Sequence, residues 1–200
     1  MMQKISPCLW FDGKAEEAMN FYMSVFKNGK VVNVMRYGEA GPGPKESVLA
    51  VTFELEGQEF IGLNGGPHFQ FTPAISMFVK CQTQAEVDDY WEKLLAGGKP
   101  QQCGWLTDKY GVSWQIVPTA LGEMLQDKDA AKSQRAMQAM MKMVKLDVAA
   151  LKKAFEGEVR AVLQGSAKSL AGALPRAPST GRIRASHRPR GGRCENHRPG

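Results

Sequence analysis

An internal repeat is the sequence feature that most constrains the fold of this chain. When the sequence is shifted by 69 residues, its first half matches its second half at a helix, an aromatic pair, a helix end and a following strand. Glu17 matches Glu86, the pair Phe21-Tyr22 matches Tyr90-Trp91, and Asn28-Gly29-Lys30 matches Gly97-Gly98-Lys99. One constant offset across these features indicates a duplicated module. Two modules that each leave one face of a sheet uncovered are expected to pair and to enclose a cavity.

Both halves show the same order of predicted elements, β-α-β-β-β. The first half begins with a strand at Ile5–Phe11 and an amphipathic helix at Ala15–Phe26, which a left-handed cap at Asn28-Gly29 ends. Three strands follow, at Lys30–Tyr37, Val48–Leu55 and Phe60–Asn64. The second half repeats this order. It has a strand at Ala74–Cys81, a helix that the capping box Thr83–Glu86 opens and Gly97-Gly98 ends, Lys99–Cys103, the region of Trp105, and the last strand Val112–Val117, which Pro118 closes.

Three helices are predicted after Pro118. They span Thr119–Gln126, Asp129–Val144 and Val148–Phe155, with Asp147 as the cap of the last. The middle helix carries a stripe of Met137, Met140, Met141 and Val144, which we interpret as a packing surface in the core or in a dimer.

The net charge of +6 is unevenly distributed along the chain. Val159–Gly200 holds nine of the 26 Lys and Arg residues but only one of the 20 Asp and Glu residues, so residues 1–158 carry a net charge of −2. The Arg, Pro and Gly content of this tail is typical of disorder. We therefore predict a folded domain over residues 1–157, with modules at about 1–66 and 72–118 and a helical extension at 119–157, and a disordered tail at 158–200, interpreted as a read-through extension.

The sequence favours a cytoplasmic protein with reduced thiols. No apolar run approaches the roughly 20 residues that span a membrane, and the N-terminus lacks the apolar segment of a signal peptide. The four cysteines form no Cys-x-x-Cys pair. Cys194 and His197 supply two ligands where a structural zinc needs four.

The stretch Thr107–Pro118 contains Asp108, Gly111 and Gln115 in the pattern Asp-x-x-Gly-x-x-x-(Glu or Gln). It resembles the last strand of the vicinal oxygen chelate superfamily, which includes the glyoxalases and dioxygenases. The phrases Asn64–Val79 and Cys103–Pro118 are similar to the PhnB-like branch, commonly labelled 3-demethylubiquinone 3-methyltransferase. The resemblance covers Ile5 to about Gly157 and implies an α+β fold of two paired βαβββ modules, with C-terminal helices following them.

The same resemblance implies where a divalent metal would bind. The superfamily takes one ligand from the first strand and one from the last strand of each half, and these positions fall on Pro7, Ser76, about Gly62 and Gln115. Proline and glycine offer no side-chain donor, whereas divalent metals prefer imidazole and carboxylate ligands. We therefore expect no bound metal and no other cofactor, and a divalent metal is the alternative.

Several uncharged polar and aromatic residues are predicted to line the cavity. The candidate ligand-binding residues are Asn64, His68, Phe69, Ser76, Cys103, Trp105 and Gln115. His68 is the one histidine of the predicted domain and the candidate catalytic residue, as an acid or base on a cavity lid, while the alternative is a residue that packs locally in its loop.

The predicted function is small-molecule binding by a homodimer. The dimer is either domain-swapped or built by the Met137–Val144 helix. The alternative is an enzyme, either a metal-dependent lyase or dioxygenase, or the methyltransferase of the family label, although Gly41–Pro44 lacks the context of an adenosylmethionine site. We expect no nucleic-acid binding from the folded domain, and the basic tail is the alternative site for RNA.

Overall fold

A computed structural model describes residues 4–157 of the 200-residue chain. Module 1 contains β1 (Cys8–Phe11), α1 (Ala15–Val25), β2 (Gly29–Arg36), β3 (Val48–Leu55) and β4 (Gln58–Asn64). Module 2 contains β5 (Ser76–Cys81), α2 (Gln84–Leu95), β6 (Lys99–Pro100), β7 (Trp105–Thr107) and β8 (Ser113–Pro118). The helices α3 (Thr119–Leu125), α4 (Ala130–Met140) and α5 (Val148–Glu156) follow. The predicted α+β fold of two βαβββ modules with C-terminal helices is confirmed.

Each module forms a four-stranded sheet with the same topology. The strand order is β1-β4-β3-β2 in the first sheet and β5-β8-β7-β6 in the second, and in each the first strand runs parallel to the last. Alternation along the strands buries one face of each sheet, against α1 in module 1 and against α2 in module 2. The opposite face of each sheet is called its open face below.

A single apolar core joins the two modules. Tyr22 and Phe26 on α1 reach across to module 2, where Phe26 stacks on Trp114 with ring centroids 5.5 Å apart and on Tyr90 at 5.1 Å. Tyr22 is fully buried and packs against both Phe53 of its own sheet and Trp114 of the other. Burial of each such ring contributes about 2–3 kcal/mol, so the modules stabilise one another.

The C-terminal helices form a second apolar cluster that packs against module 2. Its buried members are Leu121, Met124, Ala136, Leu146 and Leu151. The side chain of Gln84, at the start of α2, donates to the carbonyl of Leu146 and accepts from the N–H of Val148. These bonds fix the segment between α4 and α5 against α2.

Several boundaries differ from the sequence prediction, among them the starts of β1 and β5, which begin at Cys8 and Ser76 instead of Ile5 and Ala74. The helix α1 ends at Val25 and its cap residue Phe26 is extended, so the predicted left-handed cap at Asn28-Gly29 is wrong. Gly29 instead begins β2, where a Cβ would lie 3.0 Å from the Met23 side chain. The strand predicted at Lys99–Cys103 shortens to two residues, and α4 ends at Met140 instead of Val144 because tighter turn bonds follow it.

The repeat offset of 69 holds for the helices but not for the first strands. Ala15 and Gln84 both begin helices, 69 residues apart. Three residues separate β1 from α1, but only two separate β5 from α2, so Phe11 corresponds to Cys81 at an offset of 70. The strand register also matches Phe11 with Cys81, because each pairs with the last residue of the last strand of its module, Asn64 in β4 and Pro118 in β8.

The tail predicted at 158–200, with Cys194 and His197, lies outside the described residues. Between residues 4 and 157, no helix is long and apolar enough to cross a membrane.

Candidate ligand-binding site

A cleft of about 620 Å³ lies between the two modules, and we call it the β5 cleft because it follows the edge of that strand. Its apolar walls include Phe26, Leu55 and Phe60 from module 1 and Met77, Val79 and Trp114 from module 2. Ser76, Phe78 and Lys80 line it from the open-face side of β5. The lining also includes Glu56, Glu86 and two glutamines, so the cleft combines an apolar wall with hydroxyl, amide and charged groups.

Ser76 and Gln115 form a hydrogen-bonded pair on the open face of the second sheet. Gln115 Nε2 donates to Ser76 Oγ at 2.9 Å, across the parallel pair of β5 and β8. Phe78 and Trp105 flank Gln115 on the neighbouring strands, since the register places all three in one cross-strand row. The pair thus presents amide and hydroxyl groups between two aromatic side chains, next to the β5 cleft.

The structure corrects the predicted positions of the metal ligands in module 1. With the offset of 70, the counterpart of Ser76 is Ser6 and not Pro7, and the counterpart of Gln115 is Ile61 and not Gly62. Gly62 faces the helix, because a Cβ there would meet the Val51 side chain at 2.9 Å. Pro7 and Ser76 both line the β5 cleft, but Pro7 is not the repeat counterpart of Ser76 and Gly62 is turned away from the open face that carries Gln115.

The corrected set does not fit a divalent metal either. Ser6, Ile61, Ser76 and Gln115 include no imidazole and no carboxylate, and Ser6 donates its hydroxyl to Glu59 at 2.5 Å. Residues 4–157 contain no cluster of three or more His, Cys, Asp or Glu side chains placed to hold a metal ion.

Asn64 is used by the fold. Its Oδ1 accepts from the N–H of Ala15 at 2.9 Å and its Nδ2 donates to the carbonyl of Val48 at 3.0 Å. The amide therefore caps the first turn of α1 from the end of β4 and binds β3 as well. Both ends of this candidate ligand-binding side chain are already bonded to backbone.

The remaining candidates are dispersed over the domain. His68 is exposed in the loop between the modules, and Phe69, in the same loop, packs edge-to-face on Trp10 at 4.9 Å in a separate pocket. Cys103 has a φ of 61° and its Sγ lies 3.8 Å from Met141 Sδ, beside the C-terminal helices. Of the seven candidates, only Ser76 lines the β5 cleft, and Gln115 and Trp105 extend from it along the open face.

Asp108 is the important residue that the sequence interpretation did not assign. It is 3% exposed, and its Oδ2 accepts from Tyr22 Oη and from Trp114 Nε1, both at 2.8 Å. Its Oδ1 accepts from the N–H of Tyr110 at 2.8 Å and of Val112 at 3.0 Å. Burial raises the pKa of this carboxyl, while the four hydrogen bonds oppose the rise. Its place as the first residue of the Asp-x-x-Gly pattern was the signal for it.

The strand order of the sheets and the duplication of the module together define a two-module protein of the glyoxalase, or vicinal oxygen chelate, fold. The profile of the family described as 3-demethylubiquinone-9 3-methyltransferase matches residues 3–117, and the chain belongs to that family. The prediction of a PhnB-like protein is confirmed.

Two solved structures illustrate the similarity. A PhnB protein from Bacillus cereus is 44% identical, with a TM-score of 0.54, over 58% of this chain and 99% of that chain. Protein PA1353 from Pseudomonas aeruginosa is 20% identical, with a TM-score of 0.50, over 58% of this chain and 98% of that chain, and it shows the fold alone. No protein with a curated description matches this chain.

Proposed function

We propose that this chain binds a small, mainly apolar molecule in the β5 cleft, without a tightly bound metal. The observation that carries the proposal is the cleft itself, because its volume of about 620 Å³ falls within the range of ligand sites and its walls are mostly aromatic and aliphatic. Ser76, supported by Gln115, supplies a hydroxyl at the rim that can fix the orientation of a polar group of the ligand.

We propose further that the chain works as a homodimer in the cytoplasm. Ile5 and Ile75, which precede the edge strands β1 and β5 and correspond to one another in the repeat, are 86% and 76% exposed. Such apolar residues beside unpaired edges are typical of interfaces. The three cysteines of the described residues are free thiols, which favours a reducing compartment.

The binding proposal is tested by a small-molecule screen that monitors the melting temperature. Ligands of planar or amphipathic character, with adenosylmethionine included, are added to the full chain and to a Ser76→Trp variant, which places an indole in the cleft. Ser24→Trp is the matched control, because Ser24 is exposed on α1. We expect ligands that raise the melting temperature of the wild-type protein and of Ser24→Trp by about 5–10 °C at 100-fold excess over Kd, and that lose the effect with Ser76→Trp.

Two outcomes would contradict the proposal. Ligands that stabilise all three proteins equally would bind outside the β5 cleft. The second outcome is that no ligand stabilises the wild-type protein and that Ser76→Trp melts at the same temperature as the wild type. The cleft would then have no binding role.

An enzyme is the second candidate, and the family match favours it. The family description implies methyl transfer to a demethylubiquinone, and an aromatic cleft of this volume suits a quinone ring. Stabilisation by adenosylmethionine in the screen would support that activity. A stoichiometric divalent ion in protein purified without chelator would instead support the lyase or dioxygenase chemistry of the superfamily.

A further inference from the structure

A second cavity of about 480 Å³ lies where the modules meet near the start of α1, and we call it the Lys109 pocket. Four chain segments line it: the end of β1, the first turn of α1, the loop between the modules, and the turn between β7 and β8. It shares no lining residue with the β5 cleft.

Aromatic side chains form the wall of the Lys109 pocket. Trp10 is held by a hydrogen bond from its Nε1 to the carbonyl of Gly66 at 2.8 Å, and Phe69 meets its ring edge-to-face. Phe71 and Tyr110 both pack against Phe11. Phe69 is 67% exposed, an unfavourable placement for a phenylalanine that a bound aromatic group would relieve.

Two lysines at the rim share a single carboxylate. Lys14 Nζ binds Glu17 Oε2 at 3.0 Å, while Tyr110 Oη donates to Glu17 Oε1 at 3.0 Å. These bonds lower the pKa of Glu17, with the Lys14 bond as the main cause, and keep it ionised. Lys109 Nζ lies 4.0 Å from Glu17 Oε1, which is too far for a hydrogen bond.

The ammonium group of Lys109 is therefore available to a ligand. It lies over the rings of Phe21 and Tyr110, with centroids at 4.6 and 5.0 Å, and within residues 4–157 no hydrogen-bond acceptor is in reach of it. Asp12 is the other acidic residue of the lining, and it makes no ion pair within 4.0 Å with Lys14 or Lys109. Its carboxylate would repel an anion on the Lys14 side of the pocket. Glu17 is ionised and would repel an anion as well, so an anion is accommodated best on the side of Lys109 that faces away from Glu17.

We propose that the Lys109 pocket is a second binding site, which takes an aromatic anion: the ring packs against Trp10 and Phe69, and the carboxylate, sulfonate or phosphate group binds Lys109. The site is independent of the β5 cleft and of the function proposed for it. A planar ring buries apolar area on the aromatic wall, and the charged group completes the hydrogen bonds of the lysine.

The test compares two fluorescent probes of the same ring system on the full chain. The probe 1-anilinonaphthalene-8-sulfonate is an anion, and N-phenyl-1-naphthylamine is its neutral counterpart. We expect Lys109→Met to raise the Kd for the anionic probe about fivefold and the Kd for the neutral probe less than about twofold, since one exposed charge pair is lost. Phe69→Ala should weaken both probes. Lys30→Met is the control, because Lys30 pairs with Glu54 on the outer edge of the first sheet.

The variants separate this proposal from binding in the β5 cleft. Lys109 and Phe69 are both exposed, so neither substitution removes core packing. Equal effects of Lys109→Met and Lys30→Met would overturn the proposal. Loss of both probes with Ser76→Trp but not with Phe69→Ala would also overturn it, because the probes would then occupy the cleft.

Discussion

Asp108 connects three parts of the molecule through one carboxylate. It binds Tyr22 on the helix of module 1, Trp114 on the last strand of module 2, and the backbone of the turn between β7 and β8. A buried carboxylate is costly unless its lone pairs are satisfied, and here four donors satisfy them. Part of the stability of the inter-module core therefore depends on this one residue.

We expect Asp108→Asn to lower the free energy of unfolding by about 2–4 kcal/mol. The new amide would face Trp114 Nε1, which is also a donor, and would leave a buried group without a partner. Tyr22→Phe should cost about 1–2 kcal/mol, because it removes one of the four bonds to a charged group. Urea unfolding monitored by tryptophan fluorescence measures both, and an Asp108→Asn variant within 0.5 kcal/mol of the wild type would show that the network contributes little.

Single residues were predicted less well than elements. The chemistry of Ser76 and Gln115 as uncharged polar groups near a cavity could be inferred, but their direct bond depends on the register of β5 against β8. Asn64 was expected to bind ligand, yet its amide caps α1, because the end of β4 lies beside the first turn of that helix. Contacts between residues far apart in sequence decide such roles, and periodicity does not report them.

At the scale of elements, we propose the edge of β5 as the dimer surface, in place of the domain-swapped dimer and the dimer through the Met137–Val144 helix that the sequence left open. In its sheet β5 pairs only with β8, and the exposed Ile75, which does not line the β5 cleft, directly precedes its free edge. The competing surface is the end of α4, where Met137, Met141 and Val144 are also exposed. Both surfaces are apolar, but only the edge strand also offers unpaired backbone groups.

We expect the wild-type chain to sediment as a dimer and Ile75→Asp to weaken the dimer roughly hundredfold, because two copies of a buried apolar side chain become charged. Met141→Asp is the matched control, since Met141 is 59% exposed on the α4 surface and should leave the dimer intact. Analytical ultracentrifugation measures both. Dissociation by Met141→Asp alone would assign the interface to the C-terminal helices.

The order and type of the elements followed from the sequence, but the alignment of the repeat did not. Helical periodicity located α1 and α2 to within about one residue of their observed starts and ends, because an amphipathic stripe is a strong signal. The loop before α2 is one residue shorter than the loop before α1, and this shifts the first strands relative to one another. A shift of one residue reverses the faces of a strand, which is why Pro7 was matched to Ser76 wrongly.

At the scale of the whole molecule, the last described helix, α5, ends at Gly157 with its carbonyls bonded inside the domain. Gly157 has a φ of 85° and its N–H bonds to the carbonyls of Lys153 and Ala154, which ends α5. Arg135 on α4 donates to the carbonyls of Ala154 and Phe155, so the last turn is satisfied from within the domain. Leu151 is fully buried in the C-terminal cluster.

We therefore expect a chain truncated after Gly157 to keep the urea midpoint of the full chain and its response to ligands of the β5 cleft. Truncation after Leu146 is the contrasting control, since it removes α5 and exposes the C-terminal cluster, and should lower the free energy of unfolding by about 3 kcal/mol or more. The excess of basic over acidic residues lies beyond Gly157, so any salt-sensitive affinity of the full chain for RNA should disappear in both truncated chains. Loss of stability on truncation after Gly157 would show that the last 43 residues belong to the fold. Affinity for RNA that survives it would place a nucleic-acid surface on a domain that carries no excess of basic residues.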